Sequence, residues 1–346
     1  MPYRIRDVAQ QAGVSKSTVS RVFNRSNLVD PETRRRVLET ARKLDYHPNA
    51  SAKQLARGGR SDFFGLLISD IENPVFPEMI KGFETAARAK GFDLFLCATD
   101  YNSERAQAAV NKMIENGVRG VAIMTSSLTE QIAIPLAARD IAVVMLDLQE
   151  TTRHISSIAI DYSKGVSESI EHLAQLGHER VVFLAGPDDR RSSRRYREAV
   201  CKVLHEKKMS LQRIMECDQT LEGGRAAVWK LAATTPVPTA LVCVNDMTAI
   251  GAMAALREMG ISVPSQVSVL GCEDIYMARF LDPPLTTIRF DRKALGRMAF
   301  ETLDRMSKSK PRKGTKNHVE TRVIVRSSTA AMNRNSPVWR QARHEG

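Results

Sequence analysis

The chain reads as two fold classes in series. An all-α helix-turn-helix headpiece comes first, and an α/β core of two doubly wound parallel-sheet lobes follows. Three observations carry this. Residues 5–22 place apolar side chains at the spacing of two short helices joined at a glycine. From Phe63 onward, short apolar runs alternate with amphipathic ones, the pattern of a parallel sheet covered on both faces. That alternation resumes as a second series after Asp161, so two similar lobes are expected.

In the first segment Val8, Ala12, Val19 and Val22 take inward positions. Ala9 is small, as the close crossing of two helices requires. Gly13 follows where a tight turn needs a positive φ, and Val14 again points inward. This is helix-turn-helix spacing, whose second helix enters the major groove of DNA. Ser15 can cap that helix and leave its first amides facing phosphate. Lys16, Ser17, Ser20 and Arg21 point outward and are short or basic; with Ser15, Thr18 and Asn24 they form the candidate DNA-reading set. An ordinary αα-hairpin with a polar face has the same spacing, so charge must arbitrate. A third helix starts at Asp30-Pro31 and buries Val37, Leu38, Ala41 and Leu44, with Arg34, Arg35 and Arg36 on the other side.

Charge favours the DNA reading. The formal net charge is +12, and residues 1–60 hold 13 Lys/Arg against 5 Asp/Glu, so two thirds of the excess sits in about a sixth of the chain. Such concentration marks a polyanion-binding module. Next comes a stretch with Asn49 as a cap, Ala50, Ala52 and Ala56 as helix formers, and Gly58-Gly59 as a stop; Asn49, Ala52, Lys53 and Leu55 join the candidate DNA-binding set. A helix this short is not stable alone in water. Its small residues would let two copies pack closely and leave Leu55 exposed, suited to wedging into a minor-groove base step. A plain flexible linker remains the competing reading.

The core elements follow in order. A strand at 63–69 leads to a helix at 76–90, a strand at 92–98, a helix at 103–116, and strands at 118–124 and 142–147. The second series has a helix at 163–176, a strand at 180–185 and helices at 192–208 and 222–233. A strand at 239–244, a helix at 246–259 and a strand at 267–271 complete it. Residues 286–290 read as a crossover, 291–306 as a helix, 308–316 as a charged loop and 319–325 as a last strand. The resulting division is 1–47 headpiece, 48–61 hinge helix and linker, 62–330 core, and 331–346 disordered tail. Lobe 1 takes 62–160 plus 291–320, and lobe 2 takes 161–290 plus 321–330.

Ligands of open α/β sheets bind at the carboxyl ends of strands. Polar residues collect there: Asp70, Asn73 and Phe76 after the first strand, Asp147 after the fourth, and Asp161 between the lobes. Arg190, Ser193, Arg195, Asn245, Asp246 and Glu273 do so in the second lobe. Between two lobes they would line a polar cleft with an aromatic wall, suited to a small hydroxylated or charged effector. Each alone is also an ordinary turn or cap residue.

Residues 4–60 resemble the DNA-binding headpiece and hinge of the LacI/GalR family of bacterial transcription regulators. The resemblance rests on Asp7-Val8-Ala9, Ala12-Gly13-Val14-Ser15, Thr18-Val19-Ser20-Arg21-Val22, Thr33-Arg34, Val37-Leu38 and Pro48-Asn49-Ala50. It continues to about residue 328, which implies a periplasmic-binding-protein-like two-lobe core. It also implies that Lys16, Ser17 and Arg21 contact bases, that Leu55 intercalates, and that paired hinge helices order on the operator. Phe76, Asp246, Glu273 and the Arg/Ser segment after Gly186-Pro187 match effector positions, and a sugar or sugar derivative is the family's common choice. Two departures stand out: that segment is shorter than usual, and Glu273 stands where Asp is usual, which lengthens the acceptor arm.

The function expected is a ligand-responsive dimeric repressor on a palindromic double-stranded DNA operator, acting in the cytoplasm without a cofactor. No apolar run approaches the ~20 residues needed to span a bilayer. The N-terminus has no signal-peptide core. The five scattered cysteines fit free thiols in a reducing compartment and offer no metal-ligand pair. A solute-binding protein for transport shares the cleft but needs secretion and has no use for the basic headpiece. An α/β enzyme is disfavoured because no Gly-rich phosphate loop or nucleophile elbow occurs.

Overall fold

A computed structural model describes residues 3–24, 29–46, 61–125, 127, 130–233, 238–309 and 313–332. The headpiece comprises α1 (Ile5–Gln11), α2 (Lys16–Asn24) and α3 (Pro31–Lys43). Val8, Val19 and Val37 are fully enclosed, with Ala9, Ala12, Val22 and Ala41 around them. Gly13 has φ +65°, and the reversal it permits lets the Val14 amide reach the Ala9 carbonyl at 3.0 Å. Asp30 caps α3 by accepting from the Thr33 amide at 2.9 Å.

The core is built on eleven strands among the described residues: β1 (Phe63–Ile68), β2 (Asp93–Ala98), β3 (Gly120–Met124), β4 (Ala142–Leu146), β5 (Ile155–Asp161), β6 (Arg180–Ala185), β7 (Ser210–Glu216), β8 (Ala240–Cys243), β9 (Ser268–Glu273), β10 (Thr286–Phe290) and β11 (Lys316–Ile324). Their order is β2-β1-β3-β4-β5-β11-β10-β9-β8-β6-β7. Each lobe thus carries five parallel strands, and β11 joins the two sets. Residues 316–320 of β11 pair in parallel with β5, and 321–324 pair antiparallel with β10. Thr321 sits at the change of partner, donating to the Asp161 carbonyl at 2.7 Å and accepting from the Gly165 amide at 3.0 Å.

Helices cover both faces. They are α4 (Val75–Ala89), α5 (Ser103–Glu115), the short α6 (Ile134–Ala137), α7 (Ser163–Gln175), α8 (Arg191–Glu206), α9 (Leu221–Ala232), α10 (Asp246–Glu258) and α11 (Arg292–Lys308). Two helix pairs cross on glycine. A Cβ on Gly296 would lie 1.9 Å from the Met79 carbonyl oxygen, and one on Gly251 would lie 1.9 Å from that of Leu221. Each lobe therefore has one crossing at backbone contact, α4 with α11 and α9 with α10.

Three expectations are corrected. Residues 286–290 are strand β10, not a crossover: Thr286, Thr287 and Ile288 are β-branched and fully buried against β9 and β11. β5 and β7 were passed over in the sequence. Ser156 and Ser157 interrupt the apolar run of β5, and β7 is an edge strand with a mostly exposed, polar pattern. Order also runs past 330, because the Met332 amide donates to the Leu176 carbonyl at 2.8 Å; the rest of the tail lies outside the described residues.

Candidate DNA-reading face and inter-lobe cleft

On α2, Ser15 caps the helix: its Oγ accepts from the Thr18 amide at 3.1 Å and lies 2.7 Å from the Ser17 hydroxyl. Lys16, Ser17 and Arg21 are exposed, while Thr18 and Ser20 are half-buried on the flank. Asn24 closes the helix. Lys16 and Arg21 enter no ion pair among the described residues, nor do Arg34, Arg35 and Arg36 on exposed positions of α3. A shallow groove lined by Ser15, Thr18, Arg21, Asp30 and Thr33 separates α2 from the start of α3. Cations left without internal partners, beside a capped helix start, suit contact with a phosphate backbone. Asn49, Ala52, Lys53 and Leu55 lie outside the described residues.

In the core, the carboxyl end of β4 faces the start of α8. Asp147 is almost fully buried in lobe 1 and reaches across to lobe 2. Its carboxylate accepts from Arg195 Nη1 at 2.7 Å, from Ser192 Oγ at 2.5 Å and from the Ile160 amide at 3.2 Å. Burial raises its carboxyl above the ordinary value, and the Arg195 guanidinium opposes that shift. Arg191 Nη2 adds a bond to the Leu146 carbonyl at 3.2 Å. Beside this clamp, Arg190 lies over the Tyr101 ring at 3.7 Å from its centroid and donates to Gln219 Oε1. Tyr101 belongs to lobe 1 and has φ +56°; burial raises its phenol, with Arg190 opposing. The arginine-rich first turns of α8 therefore hold the lobes together through charge, hydrogen bond and ring contact.

Two further acids sit at the lobe 2 end. Asp246 is fully buried, accepts from Thr287 Oγ1 at 2.5 Å and from the Ile275 amide at 2.8 Å, and is pushed up to about 7, first by burial. Glu273 ends β9 at φ +111°, and its Oε2 is buried without a hydrogen-bond partner. Burial, then the Asp246 charge, push it up to about 8, and Arg292 only partly opposes them. Arg292 turns its two Nη groups elsewhere, to the Glu273 carbonyl and to Glu78 Oε1 at 3.2 Å, and its Nε is buried without a partner.

The predicted cleft residues divide into three groups. Asp147, Arg190, Arg195, Asp246 and Glu273 converge as described. Asn73, Asp161 and Asn245 serve local backbone, accepting from the amides of Val75, Ser163 and Thr248. Asp70 likewise accepts from the Glu72 amide, although it also lies near Tyr101. Ser193 is buried and accepts from Gln219 Nε2 at 2.8 Å. Phe76 is buried in the main apolar cluster. Sequence reasoning missed Tyr101 and Gln219, and within 190–197 it singled out Ser193 rather than Ser192, which bonds Asp147. Tyr101 follows the end of β2, so the strand-end rule would have found it; Gln219 follows β7, the strand not recognised.

Comparison with known proteins decides the family. Residues 4–49 match the model of bacterial regulatory proteins of the lacI family, and residues 170–329 match a periplasmic binding protein-like domain. A repressor of Actinobacillus pleuropneumoniae serotype 3, named HTH-type transcriptional repressor PurR, is 33% identical over 86% of this chain and 89% of its own. The chain belongs to the LacI family. A PurR repressor of Pasteurella multocida is 31% identical over 94% of this LacI-family chain and 98% of its own. Among solved structures, a lac repressor dimer bound to operator and the anti-inducer ONPF aligns with a TM-score of 0.83 at 29% identity, covering 96% of this chain and all of that one. A transcriptional regulator CelR–cellobiose complex aligns with a TM-score of 0.71 at 25% identity, over 94% of this chain and 99% of that one. This LacI-family protein is therefore a DNA-binding transcriptional repressor and not an enzyme. Among the described residues, no helix is long and apolar enough to cross a membrane.

Proposed function

We propose that the protein represses transcription as a cytoplasmic homodimer on a palindromic operator, and that a small-molecule effector in the inter-lobe cleft controls it. The observation that carries the effector reading is Asp147 held by Ser192 and Arg195 of the opposite lobe. A contact that spans two lobes makes their closure a two-state variable, and a ligand between them can bias it. The partly unmatched acid Glu273 supplies an acceptor for a hydroxyl or N–H of a sugar-like molecule. The partition into 1–47, 48–61, 62–332 and tail goes with this reading.

A dimer is supported by Tyr276, Met277 and Phe280, which are 63%, 49% and 66% exposed on one short turn beside a groove lined by Ile250, Met253 and Leu281. Two reading helices about 34 Å apart would meet successive major grooves of a palindrome. The test is selection of bound duplex from a random pool by the full-length protein, repeated with a panel of small metabolites. A palindromic consensus whose recovery changes with one metabolite is the expected result. Recovery of no consensus under any condition would end the proposal.

A further inference from the structure

The chain leaves its DNA-binding segments and enters lobe 1 at Ser61, where side chain and backbone are both held. The Ser61 amide and hydroxyl both donate to the Gly117 carbonyl, at 2.9 and 3.1 Å. Arg119 Nε donates to the Ser61 carbonyl at 2.9 Å, and its Nη2 lies 3.9 Å from Asp62 Oδ1. The same guanidinium lies 5.1 Å from the Phe92 ring centroid, and its exposure is only 26%. Asp62 is fixed in turn, its carbonyl accepting from the Asp93 amide at 2.9 Å.

What these contacts hold is continuous with the cleft. β1 and β3 pair in parallel from Gly65↔Val121 to Ile68↔Met124. Their first residues adjoin Ser61 and Arg119. Their far ends lead to Ser69 and Thr125, whose hydroxyls bond at 2.7 Å; the Ser69 carbonyl also accepts from the Asp100 amide at 2.7 Å, and the next residue, Tyr101, carries Arg190 of lobe 2 on its ring. Leu66, Leu67, Ile68, Val121, Ile123 and Met124 are fully buried, so the two strands can move only as one body with the lobe.

We propose that Arg119 is a positioning residue for DNA binding: it clasps the end of the linker to lobe 1, so that the lobe's orientation fixes where the linker starts. The proposal rests on the repressor reading above. Without the clasp, the linker leaves the lobe through a looser chain, and the two headpieces lose their fixed separation. Binding that needs both half-sites in register then weakens, because the ordering must occur on the DNA. Binding that needs only phosphate contact does not.

The test uses the full-length protein, the duplex that the wild type selects from a random pool, and an unrelated duplex of equal length. Arg119→Ala is expected to weaken binding to the selected duplex about tenfold, equivalent to about 1.4 kcal/mol, and to leave the unrelated duplex unchanged. Arg119→Lys keeps a donor and a charge and should restore part of the loss. Ser61→Ala leaves lobe 1 intact and should give a smaller loss in the same direction. Equal losses on both duplexes, or wild-type affinity in Arg119→Ala, would overturn the clasp alone. Failure of the wild type to enrich any sequence would overturn the repressor reading and the clasp with it.

Discussion

Two buried acids in lobe 2 bind protons that acids in water release, and this sets how stability depends on pH. Asp246 is raised from 3.8 to about 7 and Glu273 from 4.5 to about 8, burial being the first cause in both. Their folded-state values exceed the unfolded ones, so the folded chain binds more protons between about 4 and 8. Stability is then fully present below the unfolded values and is lost as pH rises through the folded ones. The wild-type unfolding midpoint should therefore fall as pH rises to about 8, most steeply above about 6.5, and level off beyond. His172 and His178, whose values burial lowers from 6.5, act below that window. Glu273→Gln keeps the shape of the side chain and removes its charge, so its midpoint should fall less steeply; thermal melts at matched ionic strength measure this. Parallel curves would show that Glu273 is not the group responsible. Glu273 was marked from the sequence because it ends a strand and departs from the family's aspartate. Its missing partner was not legible there, since the nearest cation, Arg292, arrives from a helix 19 residues later and bonds the backbone instead.

At the scale of elements, periodicity located most helices and strands, because burial on one face leaves a period that sequence retains. It failed where burial was atypical: β7 is polar at an edge, and β10 looked like a connection because three of its five residues are Thr or Arg. Glycines inside helices gave no signal either, since their reason is a distance between segments far apart in the chain. Gly82 and Gly296 let α4 and α11 cross with backbone against backbone. That crossing binds the first lobe to a helix that follows the second lobe's last parallel strand, so it ties the chain's return to its start. Gly296→Ala puts a methyl 1.9 Å from the Met79 carbonyl oxygen, and backbone cannot yield as a flexible side chain can. The helices must separate, at a cost of about 2–3 kcal/mol. Chemical denaturation of the full chain should register that loss, whereas Gly13→Ala should disturb only the headpiece, through its positive φ. An unchanged midpoint for Gly296→Ala would mean that the crossing is looser than described.

For the molecule as a whole, affinity and specificity for DNA should separate by region. The outward cations of α3 would act on phosphate, which every duplex offers; Leu55 would act on one base step. The cations should set the salt dependence: a dimer neutralising about 6–10 phosphates loses roughly 10³–10⁵ in affinity between 50 and 200 mM salt. A wedge contributes little to that slope, because it releases no counterions. Leu55→Ala should therefore lower affinity for the selected operator by tenfold or more, at about 1–3 kcal/mol per lost base-step contact. The logarithmic salt slope and the affinity for unrelated duplex should stay as in the wild type. Titrations of both duplexes across a salt series separate the two effects. Arg35→Ala in the same series should lower the slope on both duplexes, since a lost phosphate contact is felt on any sequence. If Leu55→Ala instead weakens both duplexes equally, the residue serves the linker's own folding and the base-step wedge is wrong.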